Sequence, residues 1–142
     1  MNSRLLVGIQ FLAIVLIMIP KPTIMITSLW WVCLLIATAI ALWIFRHNKI
    51  GNFNIAPEIR THAKLIVTGP YRFVRHPMYS ALILFMVGVV LLHFHWINVL
   101  LLTIMIGAVG MKAFKEEKLW DRYDSAYEAY KRRTKMIIPF IL

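Results

Sequence analysis

Apolar residues fall in four long runs, at 5–20, 28–45, 78–94 and 97–111, and the polar residues crowd between and after them. Each run is near the lower end of the roughly 17–25 residues that a helix needs to cross a bilayer. Only residues 93–96 separate the third run from the fourth, which predicts a tight helical hairpin. The first run has no small-x-small cleavage site and leaves through Pro20-Lys21-Pro22, a helix exit and turn, so it reads as a retained helix. The pattern predicts an all-α polytopic membrane protein of one domain. It has four transmembrane helices, a structured loop over 46–77 and an amphipathic C-terminal helix over about 112–133.

Composition supports this reading. The 142 residues are 61% hydrophobic, against roughly 45–50% in soluble chains. The net charge of +10 would point to nucleic acid in a soluble protein, but beside such runs it points to anionic headgroups. With four spans, fifteen of the sixteen basic residues fall on one side, together with all six acidic ones, and the other side holds only Lys21. By the positive-inside rule the crowded side is cytoplasmic and carries both termini; in a bacterium this would be the inner membrane. Any reaction is expected on that side or between helices.

Little metal or redox chemistry is expected. Cys33, the single cysteine, excludes an intrachain disulfide, and no zinc-like spacing is present. His93 and His95 form an H-x-H pair beside Trp96, and no metal is expected there.

The loop ends in Gly69-Pro70-Tyr71-Arg72-Phe73-Val74-Arg75-His76-Pro77-Met78-Tyr79. Gly-Pro marks a turn, and Pro77 suits the first position of the third helix, where a missing N–H costs nothing. Arg75 and His76 then sit at a helix N-terminus, a candidate carboxylate or phosphate site. Alternatively, Arg75 snorkels to headgroups. Past the fourth run, Trp120, Tyr123, Tyr127 and Tyr130 make an aromatic stripe on one helix face, read as lying on the membrane. Adjacent helix positions diverge, so at most one of Glu116 and Glu117 is expected to face a given pocket. Glu116 has Lys112 four positions earlier as a possible ion-pair partner.

The motif from Gly69 to Tyr79, followed by Glu116-Glu117 and then Tyr123, Tyr127, Tyr130 and Pro139, resembles the isoprenylcysteine carboxyl methyltransferases and their prokaryotic relatives. More distantly it is similar to the membrane phospholipid methyltransferases. The resemblance covers roughly 51–139. Where members often have glycine two positions after the tyrosine, this chain has Ala81. The resemblance implies S-adenosylmethionine as cofactor, held by Lys64, Leu65, Ile66, Tyr71, His76, Tyr79, Glu116 and Glu117, with Glu116 preferred over its neighbour. It implies Lys112 facing the substrate and makes Arg75 and Glu116 the expected catalytic pair.

Such a site suits the cofactor: its carboxylate the helix N-terminus with Arg75 and His76, its ammonium or ribose Glu116, its adenine Tyr71 with Leu65. The expected function is methyl transfer to a lipophilic or small amphipathic carboxylate, thiol or amine, reached sideways from the bilayer, with membrane lipids but no nucleic acid as partners. The alternatives are an NADPH-dependent membrane reductase of sterol-like lipids and a non-catalytic membrane protein.

Overall fold

Among the described residues there are five α-helices: α1 (Ser3–Met18), α2 (Trp30–His47), α3 (Pro77–Leu92), α4 (Trp96–Tyr123) and α5 (Ala126–Arg133), with a 3-10 turn at Gly69–Arg72 before α3. The computed structural model describes residues 2–22, 24–25, 27–48 and 65–139. Lys64 and the rest of 49–64, half of the loop expected over 46–77, therefore lie outside the described residues. Among these there is no strand, only isolated bridges at Ile24–Phe94 and Val74–Lys135.

Helix ends follow local chemistry. Asn2 caps α1 through its side chain, which accepts from Arg4 N–H at 3.2 Å. At the other end Lys21 Nζ donates to the carbonyls of Leu16 (2.6 Å) and Ile19 (3.1 Å), satisfying acceptors left open by the last turn. Pro77 opens α3 as expected. His95 caps α4: its Nδ1 accepts from Ile97 N–H at 3.1 Å. The H-x-H pair thus belongs to the hairpin turn, where His93 O also accepts from Asn98 Nδ2.

Two helices, α2 and α4, are long and apolar enough to cross a membrane. With 16 residues each, α1 and α3 are apolar but shorter. At 1.5 Å per residue they reach about 24 Å, less than the roughly 30 Å hydrocarbon layer. Length thus supports two of the four expected spans directly. The outward faces are largely apolar along the hydrophobic runs, with Phe11, Leu12 and Val15 on α1, Leu35 and Leu42 on α2, and Leu100 and Ile104 on α4 exposed. Water would not tolerate so continuous an apolar surface.

α2 packs along α3, and α1 along α4. Gly88 permits the first contact: a Cβ there would lie 3.0 Å from Trp30 O and 3.1 Å from Cys33 Cβ. The central core joins Ala13 and Ile17 of α1, Met86, Val89 and Val90 of α3, and Met105 and Val109 of α4.

The continuous helix expected over 112–133 is divided. α4 carries through to Tyr123, and Asp124 then turns extended (φ −140°, ψ 116°). Its carboxylate accepts from Ala126 N–H at 2.9 Å, an Asx turn that starts α5 in a new direction. The chain then folds back: Arg75 N–H donates to Lys135 O (2.8 Å) and His76 N–H to Met136 O (3.0 Å).

Candidate functional site

The fold-back brings three segments together: the turn before α3, the first turn of α3, and the extension of α4 beyond its apolar part. In the turn, Gly69 adopts φ +61°, where a side chain would be strained, and a Cβ would strike the His47 ring at 2.5 Å. Tyr71 follows. Its hydroxyl accepts from Asn48 Nδ2 at 3.0 Å, and its carbonyl accepts from Tyr130 Oη–H at 2.7 Å. Burial raises its phenol pKa, so it stays a neutral hydroxyl. Leu65 and Ile66, upstream of the turn, are half-buried.

At the start of α3, the His76 ring lies between two carboxylates of α4. Nδ1 is 3.3 Å from Glu116 Oε2, and Nε2 is 3.6 Å from Glu117 Oε1. Both neighbouring glutamates therefore reach one ring, where only one was expected to face the site. The ring is buried, and Nε2 has no hydrogen-bond partner among the described residues. Burial alone would lower the His76 pKa, but the two glutamates outweigh it and raise it.

Arg75 does not point to an open anion site. Its Nε donates to Glu117 Oε1 at 2.5 Å, and an Nη to the carbonyls of Thr134 (2.5 Å) and Lys131 (3.3 Å). Burial would raise the Glu117 pKa, but His76 and Arg75 bring it below the usual carboxylate value. The Arg75 guanidinium, in sequence a candidate for either an anion site or headgroup contact, is thus engaged by the chain's own carboxylate and carbonyls.

Glu116 is the more open of the pair, its side chain 20% exposed against 10% for Glu117. It accepts from Tyr79 Oη–H at 2.5 Å, and the Tyr79 ring stacks on His76 with centroids 5.5 Å apart. Lys112 is buried and does not ion-pair with Glu116 by direct contact. Its Nζ donates to Gln10 Oε1 at 2.7 Å and sits 5.3 Å above the Tyr79 ring. Gln10, Asn48 and Tyr130 were not anticipated as site residues. A lone glutamine in an apolar run was the available signal for the first, since polar side chains inside a membrane are expensive.

The aromatic stripe also behaves differently from expectation. Tyr127 and Tyr130 are buried rather than lying on lipid. The break at Asp124 lets Tyr127 stack on Trp120 at 5.9 Å, and only Tyr123 remains exposed.

An apolar cavity of 290 Å³ lies between α2 and α3, lined by Ala37, Ala41, Ile44, Met78, Ala81 and Phe85 among others. Its Met78 end lies at the first turn of α3, the turn that also carries Tyr79.

No curated protein matches the chain. The profile of the phospholipid methyltransferase family matches residues 29–123, from the start of α2 to the last residue of α4. The matched part contains Tyr71, Arg75, His76, Tyr79, Lys112, Glu116 and Glu117. It covers well over half of the sequence, and the chain belongs to the phospholipid methyltransferase family, methyltransferases of membrane lipid-type substrates related to the isoprenylcysteine carboxyl methyltransferases.

Proposed function

We propose that the protein transfers a methyl group from S-adenosylmethionine to a lipophilic or small amphipathic acceptor, at the cytoplasmic face of a membrane crossed by all four apolar helices. The observation that carries this reading is the His76 ring held between Glu116 and Glu117, within the family-matched region. A sulfonium cofactor brings two positive centres, and a pair of carboxylates favours cations at short range. His76 Nε2, buried and without a hydrogen bond among the described residues (its contact with Glu117 is 3.6 Å), is a polar atom that a bound molecule would satisfy.

In this reading Glu116 holds the cofactor's ammonium or ribose hydroxyls, and Tyr79 and His76 fix its rotamer. Tyr71, Leu65 and Ile66 border the base. Glu117 and Arg75 act as positioning residues that hold the His76 segment against α4. Lys112, kept in place by Gln10, faces the polar end of the acceptor. The bound cofactor supplies an already activated methyl group, so the protein's own contribution is alignment and exclusion of water. A carboxylate or thiolate acceptor needs no base. For an amine acceptor, Glu116 or His76 takes the proton.

The apolar cavity between α2 and α3 supports lateral entry from the bilayer. The charge asymmetry supports cytoplasmic termini, with Lys21 alone on the far side. Purified protein in lipid, incubated with methyl-labelled cofactor and a membrane lipid extract, is expected to yield a labelled product soluble in organic solvent. Absence of label from every lipid and small amphipath offered contradicts the reading.

A further inference from the structure

A second cavity, this one polar, adjoins the His76 cluster through Lys131 and Thr134, whose carbonyls accept from Arg75. It measures 240 Å³ and lies where the turn before α3 meets the end of α5, lined by Arg72, Phe73, Lys131, Arg132, Arg133, Thr134, Lys135 and Pro139. Five of these eight residues are cationic and none is acidic.

Two of the five are neutralised outside the cavity. Lys131 pairs with Asp121 at 2.9 Å and Arg132 with Glu128 at 2.7 Å. Among the described residues no carboxylate pairs with Arg72, Arg133 or Lys135. The Lys135 backbone is fixed: its N–H donates to Phe73 O at 3.2 Å, and its carbonyl accepts from Arg75 N–H. Three cations without a carboxylate partner among the described residues, set around a preformed concavity, recognise an anion with several acceptor oxygens.

The rim identifies what carries that anion. Phe73, which lines the cavity, is exposed and packs against Trp43 with ring centroids 6.2 Å apart. Trp43 lies in the last turns of α2, a helix long and apolar enough to span. Aromatic side chains at a span's end mark the headgroup level. An anion bound there, with apolar side chains on the adjoining rim, is the headgroup of a lipid whose tails lie in the membrane.

We infer that this cavity binds the phosphate-containing headgroup of an anionic phospholipid in the leaflet bordering the charged face. The bound lipid fastens the segment 131–135, whose carbonyls at Lys131 and Thr134 hold the Arg75 guanidinium. The site requires the membrane placement proposed above but no methyl transfer, so lipid binding and methyl transfer can fail separately.

The test measures lipid retained by the purified protein after exchange into mixed micelles of phosphatidylglycerol and phosphatidylcholine in equal amounts. Wild type is expected to retain the anionic lipid about tenfold over the zwitterionic one. Arg72→Gln/Arg133→Gln/Lys135→Gln is expected to lose that preference. Arg4→Gln/Lys118→Gln/Arg122→Gln, with the same net charge, is expected to keep it. Equal preference in the first variant and wild type overturns the site, and so does an equal loss in both variants. Displacement of the lipid by millimolar inorganic phosphate overturns the lipid assignment. If the first variant does not fold, Lys135→Gln alone must lower the preference while retaining the wild-type circular dichroism.

Discussion

Arg75 and Glu117, 42 positions apart in sequence, meet through a 2.5 Å hydrogen bond with about a tenth of each side chain exposed. This contact ties the start of α3 to the extension of α4. Removing one partner of such a pair leaves the other charge buried and uncompensated, which costs about 3–5 kcal/mol. Glu117→Ala is therefore expected to lower the thermal unfolding midpoint in detergent sharply. An Arg75→Met/Glu117→Leu double variant is expected to recover much of the loss in stability.

Two of the shifted groups at the site, Glu117 and His76, predict a stability maximum between acid and alkaline limbs. Glu117 has a folded pKa below its ordinary 4.5, so its contribution is complete above about that pH and is lost as pH falls through the folded value. His76 has a folded pKa above its ordinary 6.5, so its contribution is complete below that pH and is lost as pH rises through the folded value. Unfolding midpoints across the pH range should show both limbs. In His76→Gln the limb above pH 6.5 should flatten.

Gly69→Ala should weaken cofactor binding through two separable effects. The left-handed backbone at φ +61° costs about 1–2 kcal/mol for any other residue, and the new Cβ strikes His47. Gly69→Ala/His47→Ala should therefore bind more tightly than Gly69→Ala but less tightly than wild type in equilibrium dialysis. Equal binding of the two variants would leave the contact with His47 without effect.

Tyr130→Phe removes one hydrogen bond to the Tyr71 carbonyl without changing packing volume. The expected cost is about 1 kcal/mol of stability. Hydrogen exchange should quicken at the Gly69–Arg72 turn, with α1 unaffected.

The helices were legible because apolar runs leave a direct hydropathy record, and Pro77 announced the start of α3. The break at Asp124 was not legible: the spacing of Trp120, Tyr123, Tyr127 and Tyr130 fits one continuous face equally well. Only the Asx turn of Asp124 onto Ala126 decides against it. His76 and Glu116 were legible through the motif. The commitment of Arg75 to Glu117 was not, because it depends on residues 131–136 returning to the start of α3. The Gln10–Lys112 bond spans 102 positions and depends on how α1 packs along α4, a relationship that periodicity does not record.

The most direct test is binding of labelled S-adenosylhomocysteine to the purified protein in lipid nanodiscs. Wild type is expected to bind at one site. His76→Ala and Glu116→Gln should each weaken binding about tenfold or more, in line with the loss of a charge-assisted hydrogen bond, and exposed Lys118→Gln should not weaken it. No binding to wild type, or equal binding to all four proteins, contradicts a cofactor site at His76 and Glu116.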